Sequence, residues 1–291
     1  MNKTIQPRRT VTLGNFDGVH LGHSALLREL RRGEGIKTVY SFLRHTRAGA
    51  EGFLRLYPCV IDDMLLRESG ASEILRVDFD RVRSMTPADF VRRELLPLRP
   101  VSVVCGEDFR FGAGGSGDAR LLGRLLADAG VSLVIVPPVR LGDDIVSTTL
   151  VKNRVRAGDM QGAAALLGRE YFIRARVVDG KKLGRRIGTS TANLPLYEGC
   201  VEPRHGVYAC RCEFDGMTRA AVANVGVRPT VDNDGKANAE VFLFDFDGDL
   251  YGRELTLRLA EFIRDERRFD SISDLASQIE KDKQAAVRLL G

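Results

Sequence analysis

LGNFDGVHLGHSALLREL, residues 13–30, decides how the first half of this chain is read. The preceding run TVTL has the β-branched character of a strand, the glycines mark a tight turn, and the leucines that follow recur at helical spacing. A strand that turns directly into a helix opens a βαβ unit. Its turn lies where the strand's carboxyl end meets the helix N-terminus. His20 and His23 fall at that junction, three residues apart.

The same texture extends outward. KTVYSFL precedes a helical run over residues 61–68, EILRVDF precedes PADFVRREL, VSVVC precedes DARLLGRLLADAG, and VSLVIVP closes the series. This alternation predicts an α/β domain, a parallel sheet covered by helices on both faces, with ligands at the carboxyl ends of its strands. After Tyr171 the runs YFIRARVVDG, GVYACRCEF, TRAAVANV, AEVFLFDF and ELTLRLAEFI follow one another without helices, which predicts an antiparallel sheet or small barrel. One helix from about Ile272 closes the chain, capped by Ser271, with Ile272, Leu275, Ile279, Ala286 and Leu290 on one face. It is expected to pack rather than to serve a site. Residues 148–168 read as two short joining helices, so domains of residues 1–168 and 169–291 are expected.

At 291 residues, two units each large enough for a core are the natural division. The 44 basic and 39 acidic residues leave a net charge of +5, which suits phosphate-bearing small molecules as well as nucleic acid. Arginine clusters interleaved with aromatics and zinc-finger spacings do not occur, so no nucleic-acid partner is expected. The odd set Cys59, Cys105, Cys200, Cys210 and Cys212 has no disulfide-framework spacing, and the opening MNKTIQPRRT lacks the apolar core of a signal peptide. A reduced, cytoplasmic protein is the expectation. Cys210 and Cys212 share a strand face without a second half to a metal site, and read as buried thiols. No apolar run approaches the roughly 20 residues that cross a bilayer, so no membrane partner is expected. The oligomeric state stays open.

Gly14 and Gly18 let the backbone turn tightly and approach a ligand, while the amides that begin the next helix favour phosphate. His20 and His23 can donate hydrogen bonds there; a surface pair or half of a metal site are the other readings. CGEDFRFGAGGSGD, residues 105–118, is a glycine-rich turn holding two phenylalanines, and the hydroxyls of VSTTLVK, residues 146–152, suit either phosphate or helix capping. In DGKKLGRRIGTSTANL the glycines Gly180, Gly184 and Gly188 with their basic neighbours form either a phosphate cradle or a solvated hairpin. Glu240 opens EVFLFDF as either a base or a strand-edge charge.

These motifs, in this order, resemble the prokaryotic bifunctional riboflavin kinase/FMN adenylyltransferase (FAD synthetase) family along essentially the whole chain. The resemblance implies a Rossmann-like nucleotidyltransferase domain followed by a riboflavin kinase-like β-barrel. It implies riboflavin, FMN, FAD and ATP as substrates and products, with Mg2+. By resemblance Gly14, Phe16, Asp17, His20 and His23 hold ATP, the histidines at its α-phosphate. Ser147, Thr148 and Thr149 offer hydroxyls to its phosphates, and Asp108, Phe109, Arg110 and Phe111 lie near the flavin. In the second half, Gly180, Gly184 and Gly188 bind nucleotide, Thr191 and Asn193 position Mg2+, Glu240 is the general base, and Arg264 and Phe269 lie near the flavin.

The chain also departs from the family. Leu150 stands where an arginine is usual, and Lys152 replaces a second arginine. Losing a charge-assisted donor to a transition-state phosphate costs about 3 kcal/mol, about a hundredfold in rate. Arg154, one helical turn beyond Leu150, is the candidate to compensate by binding nucleotide. Thr46 and Ser190 replace prolines, and Ala175 replaces a glycine. The kinase half therefore reads as the more intact. Two alternatives follow: a kinase whose adenylyltransferase domain is weakened or specialised, and a non-catalytic flavin- and nucleotide-binding regulator.

Overall fold

The computed structural model describes residues 8–43, 53–178, 191–227 and 236–291, with Ile272 described by its backbone alone. Gly180, Gly184, Gly188, Thr46 and Ser190 lie outside the described residues. The chain divides into two compact units, Met1–Thr148 and Thr149–Gly291. The division falls earlier than the change in sequence texture at Arg169, because the helices between the two points group with the second unit.

The first unit runs β1 (Arg9–Leu13), α1 (Leu21–Arg32), β2 (Ile36–Phe42), α2 (Cys59–Glu68), β3 (Glu73–Val77), β4 (Pro100–Gly106), α3 (Ala119–Ala127) and β5 (Ser132–Val136). Its five strands are all parallel in the order β3-β2-β1-β4-β5. The chain leaves β1 toward one edge and returns to β4 on the other side, so the switch point lies between β1 and β4. Ligands bind such sheets in the crevice beyond the carboxyl ends at the switch. The turn after β1 and the glycine-rich loop after β4 both start there. Val11, Leu13, Tyr40, Phe90, Val103 and Leu122 belong to the core of this unit. PADFVRREL forms one α-turn, Pro87–Phe90, capped by Thr86, and widens into a π-turn over Val91–Leu95.

The second unit runs α4 (Thr148–Ala157), α5 (Met160–Leu167), β6 (Tyr171–Arg176), β7 (Thr191–Pro195), β8 (Gly206–Phe214), β9 (Met217–Val227), β10 (Ala237–Leu243), β11 (Glu254–Arg264) and α6 (Ile272–Leu290), the first helix starting at the unit boundary. Six strands pair antiparallel in the order β6-β11-β8-β9-β10-β7. The strands at the two ends of that order approach through a bridge, in which the Val178 N–H donates to the Asn193 carbonyl at 3.0 Å. The sheet therefore curls into a barrel. Cys210 and Cys212 are fully buried free thiols in β8. Ser271 Oγ caps α6 by accepting from the Asp274 N–H at 3.0 Å. Among the described residues, no helix is long and apolar enough to cross a membrane.

Candidate functional site

In the first unit, the Gly14 N–H donates to the Tyr40 carbonyl at 3.2 Å and prolongs the sheet by one residue. The chain then turns through positive φ at Phe16 (50°), Gly18 (85°) and Val19 (40°). Positive φ is rare outside glycine, and rarer still for a β-branched residue. A Cβ on Gly18 would lie 2.4 Å from Leu56 Cδ2, so only glycine fits that position. Phe16 and Asp17 are wholly buried, and Asp17 Oδ1 accepts from the Leu56 N–H at 2.8 Å. Both side chains shape the turn from beneath.

His20 stands one residue before α1, as its cap. Its Nδ1 accepts from the N–H groups of Gly22 at 3.1 Å and His23 at 3.4 Å. A ring nitrogen that accepts carries no proton, so in the neutral ring the proton sits on Nε2 as a donor. The His20 and His23 rings stack with centroids 3.8 Å apart, and Phe16 lies 5.1 Å from His23. Thr148 Oγ1 donates to the Asp17 carbonyl at 3.1 Å, which draws the 146–148 segment against the turn. Gly14, Phe16, Asp17, His20, His23 and Thr148 are thus brought together at a helix N-terminus, a natural anion site. Ser147 precedes Thr148, and Thr149 begins the second unit.

The loop after β4 closes as a small hairpin in which Arg110 pairs with Asp118 at 3.8 Å. Asp108 lies in its first turn, where Gly106 would meet its carboxylate if it carried a Cβ. Phe109 and Phe111 stack at 5.8 Å, and Phe111 continues into the core against Phe90. Phe111 is therefore the buried anchor of the loop. Arg154 makes a 2.9 Å ion pair with Asp159, whose other oxygen caps α5 through the Gly162 N–H. Lys152 is only 7% exposed.

In the second unit, strand register assembles the site. Asn193 of β7 lies opposite Glu240 of β10, which lies opposite Asn224 of β9; Asn224 faces Val207 of β8, and Val207 faces Arg264 of β11. Directly opposed residues project to the same face, so this row crosses the barrel on one side. Thr191, two residues before Asn193, shares the face. Asn193 is 2% exposed, and its Oδ1 accepts from Asn238 Nδ2 at 3.3 Å. A cavity beside the row is lined by Glu240, Asn224, Arg264, Phe269, Leu275 and Ile279. Arg264 makes a bidentate pair with Asp282 at 2.9 and 2.6 Å, and its guanidinium lies 5.9 Å from the Phe269 ring centre.

The closing helix α6 packs as expected and also lines the cavity, through Leu275, Ile279 and Asp282. The apolar stripe that fastens the helix to the sheet is itself one wall. Asn224 and Asp282 escaped sequence reasoning because neither sits in a local motif. Strand register alone reveals the first, and helix docking the second.

A family model for FAD synthetase matches residues 2–150, and one for riboflavin kinase matches residues 167–290. A bifunctional riboflavin kinase/FMN adenylyltransferase of Pseudomonas fluorescens is 38% identical, over 94% of this chain and 91% of its own. One from Escherichia coli K12 is 37% identical over 100% and 96%. A crystal structure described as a macrolide-efflux protein from Streptococcus pneumoniae superposes with a TM-score of 0.86 at 30% identity, covering 97% of this chain and 94% of its own. With both halves matched in order and relatives aligned nearly end to end, the chain belongs to the bifunctional riboflavin kinase/FMN adenylyltransferase family.

Proposed function

We propose that this chain makes FMN from riboflavin and ATP in its barrel unit, and FAD from FMN and ATP in its parallel-sheet unit. The observation that carries the reading is the cross-strand row that puts Asn193, Glu240 and Asn224 on one face beside the Arg264 cavity. In the kinase step, Glu240 takes the proton of the riboflavin 5′-hydroxyl as that oxygen attacks the γ-phosphorus, and ADP leaves. Arg264 and Phe269 hold the flavin, with Gly180, Gly184 and Gly188 binding ATP. In the second step, an FMN phosphate oxygen attacks the α-phosphorus of ATP and pyrophosphate leaves. His20 and His23 donate to the α-phosphate region as charge builds there, a term worth about a hundredfold or more in rate. Gly14, Phe16 and Asp17 shape the nucleotide turn, Ser147, Thr148 and Thr149 meet phosphate, and Asp108, Phe109, Arg110 and Phe111 border the flavin.

Thr191 and Asn193 offer a hydroxyl and an amide oxygen on one strand face, the hard donors that Mg2+ takes. Mg2+ is commonly bound by a few protein oxygens together with substrate phosphates and water, and Thr191 and Asn193 would supply such oxygens here. When bound, Mg2+ neutralises phosphate charge. The change of sequence texture at Arg169 and a riboflavin kinase match that begins at residue 167 support domains of residues 1–168 and 169–291, and five free thiols support a cytoplasmic location.

A second reading, a kinase with a weakened adenylyltransferase, is favoured by Leu150 and by the burial of Lys152. Purified protein incubated with Mg-ATP and either riboflavin or FMN, with the flavins resolved by chromatography, separates the readings. FAD formed from FMN supports the full reading. FMN as the sole product supports the second. Unaltered flavin that still binds marks a regulator and overturns both.

A further inference from the structure

Two consecutive acids of α2 reach the turn between β1 and α1 by separate routes. Asp62 Oδ1 accepts from the Gly18 N–H at 2.9 Å, while its Oδ2 pairs with Arg55 Nη2 at 2.5 Å. Asp63 takes Arg76 at 2.5 Å; Arg76 Nη1 donates to Ser41 Oγ at 3.1 Å, and Ser41 Oγ donates to the Asn15 carbonyl at 3.1 Å. Asp17 and Asp62 are both wholly buried, and both carboxylates act electrostatically on Arg55.

The turn they grip holds Phe16 and Val19 at positive φ. Such conformations persist only where the surroundings over-determine them. We infer that Asp62 and Asp63 are positioning residues for adenylyl transfer, holding residues 15–19 in the strained turn that aims His20 and His23. The inference rests on the reading that this turn serves ATP.

Asp62 is a costly choice for a mere structural filler. Burial first, and the neighbouring Asp17 second, push its carboxyl up to about 7, against the opposing pull of Arg55. Ionised, it accepts from Gly18 and Arg55 together. Protonated, it loses its charge-assisted hold on Arg55, whose charge is drawn to Asp17 as well. Wild-type protein at low pH therefore resembles an Asp62→Asn variant at any pH.

The test measures FMN adenylylation and riboflavin phosphorylation on the same full-length preparations from pH 6 to 9. At pH 8, Asp62→Asn is expected to lower the adenylylation kcat about fivefold or more, with the KM for ATP within about twofold and phosphorylation unchanged. The variant's profile should lack the wild-type fall on the acid side. An Asp62→Asn enzyme matching wild type in kcat and pH profile overturns the inference. If that variant loses both activities, Ser41→Ala decides. A fall of about threefold in adenylylation alone supports the relay through Ser41, and wild-type kinetics overturn it. His20→Ala separates the two levels of argument. Full adenylylation without His20 removes the reading of the turn, and the inference with it; lost adenylylation beside a wild-type Asp62→Asn enzyme overturns the inference alone.

Discussion

Glu240 of β10 stands directly opposite Asn193 of β7, so a carboxylate and a buried amide from distant stretches of chain share one face of the barrel. Glu240→Gln keeps the shape and removes the base. Riboflavin phosphorylation should fall about a hundredfold to ten-thousandfold in kcat, while adenylylation of supplied FMN stays within about twofold. Separate assays with riboflavin and with FMN read the two.

His20 combines a structural duty with the proposed chemical one, because Nδ1 caps α1 while Nε2 is left as the donor. Asparagine caps a helix well but its shorter amide has no donor where Nε2 reaches, and alanine provides neither the cap nor the donor. His20→Asn should keep near-wild-type stability and lose about a hundredfold in adenylylation. His20→Ala should lose the same activity and about 1 kcal/mol of stability besides, measured by urea titration.

The ion pair between Arg154 and Asp159 is substantially exposed, with side chains at 44% and 38%, so its removal should change stability by less than about 0.5 kcal/mol. If Arg154 stands in for the arginine missing at Leu150, Arg154→Ala lowers adenylylation by about tenfold with the melting temperature unmoved. An unchanged rate rejects that role.

Arg264 and Asp282 are nearly buried, at 16% and 4% side-chain exposure, and they join the last strand to α6. Asp282→Asn leaves a buried guanidinium without its charge partner, which should cost about 3 kcal/mol in chemical denaturation. The KM for riboflavin should rise, since Arg264 and α6 both wall the cavity.

Asp62 also sets a pH dependence of stability. Its carboxyl sits at about 7 when folded, against an ordinary value of 3.8. Between those values the folded chain keeps a proton that the unfolded chain releases. This group's contribution is therefore fully present below pH 3.8 and is lost as pH rises through about 7. Denaturation free energies of wild type and Asp62→Asn, compared from pH 5 to 8, should converge toward the acid side, and the variant should lack the decline. Parallel curves would reject the assignment.

Much of this protein is written in local order. The strand, turn and helix around GNFDGVHLGH, the helix cap at Ser271 and the change to successive strands after Tyr171 follow from periodicity and capping chemistry, which act over a few residues. So do the two histidines at one helix start. What the tertiary structure alone decided is which distant residues meet. Strand register placed Asn224 beside Glu240; docking of α6 made Asp282 the partner of Arg264; and packing of α2 against the first turn set Asp62 on the Gly18 amide. Those contacts depend on sheet order and on the fit of buried surfaces, which no window of neighbouring residues specifies. The same reason explains His20, whose imidazole reads in sequence as a ligand and proves in space to be the helix cap as well.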